Sequence, residues 1–414
     1  MKILILHKIA YPKIDYHRGI DHERHDVTYV GTAEKLATVP AELRCRKLVR
    51  EDRGDDICGS VLAALESAGG ARDFDRVISL SEYELLEAAK VRDALGVPGA
   101  SYADARLVRD KVAMKQAIAA ARIDAPRFVH LTELGTAITA PPWSGRTVLK
   151  PTHGAGSEDV VIFASAAAAL AALADRRTGV ARLDTESPAL DAYELEEFVD
   201  GPIVHLDGLV RDGRVEVAIG SRYIGTCQRY NENLPLGSYQ FDLDEAQREW
   251  IQRVIAATRI RMGAFHLEAI ESGRGLVFLE IGNRTGGAGV PQATSFAWDD
   301  DFQKLELELL VDDCAADLGK LGRRGPYYGW YVLPGHRYEQ GQWVPGAGFE
   351  RLRADPRVVT WHQRAADAAF DKSPDYDLPS VPFGGIVGAV RSELVRDYML
   401  ELFAALEWRE LRRD

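Results

Sequence analysis

Two glutamates standing on adjacent apolar runs constrain this chain more than any other feature. Residues 265–287 read FHLEAIESGRGLVFLEIGNRTGG, with Glu268 in one run, Glu280 in the next, and Asn283 and Arg284 just beyond. FHLEAI and LVFLEI alternate with the period of half-buried strands, and SGRG is turn chemistry. The segment therefore predicts a β-hairpin with its carboxylates on neighbouring strands. Carboxylates are seldom buried without a partner, so two of them in one hairpin need a compensating cation, and oxygen donors suit Mg²⁺. A pair of exposed strand-end carboxylates is the other reading, and the hairpin alone does not choose.

Charge narrows the partners. Lys and Arg number 51 against 63 Asp and Glu, a net charge of -12, which argues against nonspecific attraction to nucleic acid or to an anionic membrane. Small-molecule substrates are expected instead. Cys45, Cys58, Cys227 and Cys314 show no CxxC pairing and are too scattered for a disulfide framework or a zinc cluster, so they are read as reduced thiols. MKILIL lacks the h-region and cleavage site of a signal peptide, and no apolar run is long enough to span a bilayer. A cytoplasmic protein is expected.

At 414 residues the chain has room for two or three domains. Short β-rich runs at 2–6, 26–30 and 75–80 alternate with helical spacing at 58–68 and 82–95, predicting a parallel α/β sheet. HKIAYPKIDYH follows the first strand without a GxGxxG fingerprint, which disfavours a Rossmann-type dinucleotide site. A helix over 108–121, a break at PPWSG, a strand TVLKP (147–151) and the loop THGAGSEDV come next, then an alanine-rich helix at 164–174.

Lys150 closes the TVLKP strand ahead of that glycine loop, where backbone N–H groups can approach phosphate and Ser157 adds a hydroxyl. The lysine precedes the glycines, so this is not a P-loop, and taken alone a strand-end lysine before a glycine turn is more often structural. YELEEFVDG (193–201) reads either as a strand offering backbone groups to an adenine edge or as an edge strand with exposed acids.

The order of these parts carries more than each part. Asp110-Lys111 on a helix, Lys150 before a glycine loop, Glu196-Glu197-Phe198-Val199, then Glu268, Glu280 and Arg284 together resemble the ATP-grasp superfamily over roughly residues 75–330. The resemblance implies an α/β (α+β) fold with a Rossmann-like pre-ATP-grasp domain at 1–104 and an ATP-grasp domain at 105–325. Within the latter it implies a lid at about 140–200, and a small β-rich C-terminal subdomain at 326–414 follows. It implies ATP and Mg²⁺, with Mn²⁺ able to substitute. Lys111, Lys150, His153, Gly154, Gly156 and Ser157 would meet the phosphates, and Glu196, Glu197, Phe198 and Val199 the adenine. Glu268 and Glu280 would hold the metal, and Arg284 would neutralise charge on an acyl phosphate, with Lys150 as a second catalytic group.

Two positions depart from the family pattern. Gly282 stands where a metal-binding Asn is usual, leaving Asn283 one residue late as a third candidate ligand, and Ile203 stands where a ribose-binding Glu is common. His205 and Asp207 share the face of Ile203 by the two-residue period and are candidates for ribose or substrate contact, against a satisfied strand histidine.

EIGNRTGG and a strand-rich C-terminal part (YYGWYVLPG, RVVTWHQR, PFGGIVGAV, then a helix SELVRDYMLELFAAL) resemble the carboxylate–amine ligases of the L-amino-acid ligase kind. That branch implies a small carboxylate and an amine joined through an acyl phosphate, in a family where homodimers are common. Glu82, Asp207, Arg222, Arg284 and Gly287 are candidate substrate residues; Glu82 reads equally as a helix cap and Arg222 as a surface strand arginine. Another ATP-grasp branch, a thioester-forming ligase or a carboxylase, and an ATP-binding protein without turnover are the alternatives.

Overall fold

The computed structural model describes residues 1–411 apart from 53, 55, 71, 138, 313–316 and 366. Cys314 lies outside them; Cys45, Cys58 and Cys227 are free thiols. The first sheet is parallel, in the order Arg46–Val49, Asp26–Gly31, Lys2–Leu6, Arg76–Ile78. The unbroken apolar run Ile3–Leu6 follows from burial on both faces. Leu4 and Leu6 pack with Val61, Leu65 and Val91 of the helices Ile57–Ser67 and Leu85–Leu95. Ile3 and Ile5 face the other way, in a cluster with Leu307 and Val311. The strand at 46–49, beyond the three runs read from the sequence, is short and mostly exposed.

The second unit is a four-stranded antiparallel sheet in the order Phe128–His130, Tyr193–Glu197, Thr147–Pro151, Val161–Phe163. The alanine-rich helix Ala166–Ala174 buries only Ala166 and Ala169 against it. Glycine-bearing residues 152–160 cross between its last two strands.

The third unit is an eight-stranded antiparallel sheet. Its order is Gly275–Gly282, Met262–Ser272, Ile203–Arg211, Arg214–Ile224, Leu236–Phe241, Tyr327–Leu333, Phe383–Ala389, Val358–Gln363. Among the described residues, three strands from the C-terminal part therefore extend this sheet, and Gly341–Pro345 and Leu406–Glu410 pair separately. One face packs on the helices Glu245–Ala257 and Ser392–Ala404 through Leu206, Phe265, Leu267 and Phe278, and through Tyr239 and Tyr331. The other carries Leu209 and Ala264 under Trp298 and Phe302, and Trp330 under Val290 and Ala293. Between these two clusters the second face carries the polar side chains of His205, Asp207, Ser238, His266 and Glu268. Among the described residues no helix is long and apolar enough to cross a membrane.

Candidate active site

Register builds the centre of the site. Met262–Ser272 and Gly275–Gly282 pair antiparallel with Glu268 directly opposite Glu280, and the pairing slips by one residue immediately after Glu268. Directly opposed like charges destabilise a sheet, so both carboxylates need positive neighbours. Lys111 Nζ lies 2.7 Å from Glu280 Oε2, while Tyr223 donates its hydroxyl to Glu268 Oε1 at 2.8 Å and His266 Nε2 stands 3.6 Å from the same oxygen. Burial raises the Glu280 carboxyl, but the Lys111 and Lys150 charges outweigh it and hold the group below its usual range. The Glu280 side chain is still 33% exposed, so this oxygen-rich corner is open and has the donor chemistry a divalent cation needs.

The lysines arrive from two elements. Asp110 caps the helix Lys111–Ala120 by accepting from Val112 N and Ala113 N, which starts the helix at Lys111. Lys111 Nζ also donates to Gly154 O at 3.0 Å, and its own N–H donates to Thr152 O. One helical turn on, Lys115 is fully buried between Glu194 Oε1 (2.5 Å) and Glu196 Oε2 (2.6 Å). Lys150 Nζ reaches Glu196 Oε2 at 2.6 Å because strand register sets Val148 opposite Glu196 and Lys150 opposite Glu194 on one face. Burial works against the Lys150 charge, yet Glu196, Glu194 and Glu280 raise its pKa above that of a free lysine.

Sequence reading missed Lys115 and Glu194, although both had a signal. Lys115 sits four residues after Lys111 on the same helix side, and Glu194 sits two before Glu196 on the same strand face. Of the other expected adenine residues, Glu197 is held by the guanidinium of Arg127 at 2.9 Å through both oxygens, and Phe198 lies 3.5 Å beneath the Arg146 guanidinium. Val199 follows half-buried, and His153 is exposed with Nδ1 3.0 Å from the Thr152 hydroxyl. Gly156 and Ser157 both adopt left-handed backbone, with φ of 64° and 59°.

Arg284 lies on the residues just after the hairpin, beside Glu82. Its Nε and the Arg109 guanidinium both bond to the carboxylate of Glu82, so that one anion on the first unit spans two cations. Arg109 is buried, and burial followed by the nearby Arg284 charge lowers its pKa to about 10. Glu82 is therefore an arginine clamp rather than a helix cap. A side chain at Gly287 would meet nothing within 4 Å, leaving space beside Arg284, whereas a Cβ at Gly286 would press on His266 and Asp207.

Three expectations are corrected. Arg222 pairs in the strand register with Val204 and Tyr239, on the face opposite Glu268 and His205. There it grips Glu271 with Nε and one terminal nitrogen, both at 2.8 Å, so it does not line the cleft. Asn283 turns its amide nitrogen to the carbonyls of Met262 (3.1 Å) and Ala264 (2.8 Å), fastening the strand end instead of facing the carboxylates. His205 and Asp207 do share the face of Ile203, but both are fully buried and bonded within the protein. His205 Nδ1 is 2.5 Å from Asp207 Oδ2 and its Nε2 is 2.8 Å from Ser238 Oγ, while His266 Nδ1 takes the other Asp207 oxygen at 2.7 Å. The two imidazoles and Asp207 have the composition of a metal cluster, yet their donors already satisfy one another. Burial lowers the His266 pKa, but Asp207 and Glu268 outweigh it and raise it to about 9, so this chain sets a cation beneath Glu268.

The parallel α/β unit, the small antiparallel sheet and the large antiparallel sheet with its paired carboxylates together have the ATP-grasp fold. The chain is similar over 100% of its length to 98% of an L-amino acid ligase from Bacillus licheniformis, with 18% identity and a TM-score of 0.69. A phosphoribosylglycinamide synthetase from Anaerococcus prevotii matches at 12% identity and a TM-score of 0.65, covering 99% of each chain. A carboxyaminoimidazole ribonucleotide synthase from Aspergillus clavatus, solved with ATP, matches at 12% and 0.66 over 98% of this chain and 97% of that one. No family model matches the sequence, and no curated protein matches it by sequence.

Proposed function

We propose that this protein is an ATP-dependent carboxylate–amine ligase, joining a small carboxylic or amino acid to an amine with release of ADP and phosphate. The observation that carries the reading is the Glu268–Glu280 cross-strand pair, with Lys111 on one carboxylate and the Arg109–Glu82–Arg284 clamp nearby. Full-length likeness to an L-amino acid ligase and to a phosphoribosylglycinamide synthetase supports ATP-dependent carboxylate–amine ligation.

In this reading a substrate carboxylate attacks the γ-phosphorus of ATP, the bond to the β-bridging oxygen breaks and ADP leaves. The amine then attacks the acyl carbon, phosphate departs and the nitrogen loses a proton. Phosphoryl transfer needs alignment and neutral surroundings for the equatorial oxygens. Lys111, on the helix packed against the hairpin strand, and Lys150, on the small sheet, supply charge, and the loop Gly154–Ser157 closes over the phosphates. Glu268 and Glu280 would hold Mg²⁺ or Mn²⁺, which supplies charge neutralisation between phosphates. Arg284, oriented by Glu82, stabilises the acyl phosphate and the tetrahedral species after it, and the open space at Gly287 receives substrate.

The test is a matrix of carboxylates, bicarbonate included, against amines, read by phosphate release and product mass. Amide products with ADP are expected, and AMP would overturn the acyl-phosphate route. Lys150→Ala and Glu280→Gln should each abolish turnover while the fold persists.

A further inference from the structure

Between the glycine loop and the large sheet runs a chain of contacts that the ligase reading does not use. Gly156 and Ser157 hold consecutive left-handed conformations, and Asp159 a third, with φ of 53°. For Ser and Asp these cost energy and persist only where surroundings over-determine them. Tyr193 fastens Asp159 by donating to Oδ2 at 2.7 Å. Asn231 fastens the other two, with Nδ2 donating to Gly156 O at 3.1 Å and standing 3.5 Å from Ser157 O.

Asn231 ends the short helix Cys227–Asn231 and is itself held. Its Oδ1 accepts from the Tyr376 hydroxyl at 3.1 Å, and that hydroxyl also lies 3.3 Å from Gly156 O. The Asn231 carbonyl lies 3.2 Å from His336 Nε2. Tyr376 stacks on the buried Tyr230 at 4.6 Å. At the other end of the helix, Cys227 packs with Tyr223 on the same apolar cluster, and Tyr223 is the residue that donates to Glu268.

We propose that Asn231 and Tyr376 are positioning residues that latch the glycine loop to the Cys227–Asn231 helix, tying loop closure over the phosphates to the substrate side of the cleft. In a trans peptide the C=O and N–H point in opposite directions, so fixing the Gly156 carbonyl also fixes the Ser157 N–H, a donor of the kind a phosphate loop uses. A loop held this way waits in one conformation, and closure costs less ordering when nucleotide arrives. Without the latch, a bound nucleotide would meet a loop that opens before the amine has reacted, and acyl phosphate would be lost to water. This consequence rests on the ligase reading; the latch itself does not.

Two substitutions test it. Tyr376→Phe removes the hydroxyl and keeps the ring stack; Asn231→Asp keeps the shape and removes the donor to both carbonyls. Hydrogen exchange of the backbone at 153–160 in the free protein is expected to quicken about threefold to tenfold in Tyr376→Phe, the loss of one hydrogen bond, and at least as much in Asn231→Asp, with an unchanged melting midpoint. With ATP and an active acid–amine pair, phosphate released per amide formed should rise above the wild-type ratio, and KM for ATP should rise more than kcat falls. Faster exchange together with no ligase activity in any protein would sink the ligase reading and uphold the latch. Wild-type exchange in Tyr376→Phe would overturn the latch whatever the turnover, and this variant decides if Asn231→Asp unfolds.

Discussion

Replacing Lys115 with methionine should be among the most damaging single changes outside the cleft. The side chain is 1% exposed and its ammonium bridges Glu194, 0% exposed, and Glu196, 3% exposed. Methionine fills a similar volume, so the cavity cost is small and the electrostatic cost stands alone. Glu196 keeps Lys150 at 2.6 Å, but Glu194 loses its cation, and its second oxygen already has no hydrogen-bond partner. Removing one member of a buried ion pair costs about 3–5 kcal/mol, because the remaining charge stays desolvated. Urea unfolding followed by circular dichroism should show that loss as a lower midpoint. Adding Glu194→Gln should recover about half of it or more, since the amide removes the stranded charge and the Glu196–Lys150 pair survives. A Lys115→Met protein within about 1 kcal/mol of wild type, or a double variant no better than the single, would refute the account of this cluster.

Arg222→Ala should lower stability by about 1 kcal/mol through loss of a partly exposed bidentate pair and leave kcat/KM within about twofold, because the residue lies on the far face; a large loss of activity without unfolding would return it to the substrate site. Asn283→Ala should destabilise by about 1–3 kcal/mol through two orphaned carbonyls while leaving the Mg²⁺ dependence of phosphate release unchanged; a shifted metal requirement would make it a ligand after all. Acid should unfold the protein through its depressed carboxyls. Burial raises Glu196 but Lys115 and Lys150 hold it low, and burial raises Asp207 but His266 and His205 hold it low. Their contribution is fully present above about pH 4, the ordinary carboxylate range, and is lost as pH falls through the lower folded values. Stability measured from pH 7 to 3 should therefore fall less steeply in Glu196→Gln than in wild type, and an identical slope would remove Glu196 from the cause.

Local pattern made much of the site legible. Alternation in FHLEAI and LVFLEI located the hairpin and both carboxylates, and TVLKP before the glycine loop located Lys150, because each depends on neighbours a few residues apart; Lys111 stood out only through the family resemblance, and its Asp110 cap appears in the structure. Side-chain partners were less legible. Arg222 looked available because a strand arginine has no local mark of which face it occupies; the pairing of Arg214–Ile224 with Ile203–Arg211 decides that, and it turned Arg222 toward Glu271. Asn283 looked like a late metal ligand, and only the approach of the Met262 and Ala264 carbonyls gave it a different task.

What the chain determined by itself was which residues form strands, caps and turns, and hence that Glu268 and Glu280 stand on adjacent strands: periodicity and capping act over one or two turns of backbone. Only the tertiary structure decided which charges meet. Glu82 and Arg284 lie 202 positions apart, Lys115 and Glu196 81 apart, and Tyr376 and Gly156 220 apart. Contacts at such separations are set by how sheets and loops pack, and burial then makes each pairing obligatory, since a desolvated charge must find its partner wherever the chain has brought one.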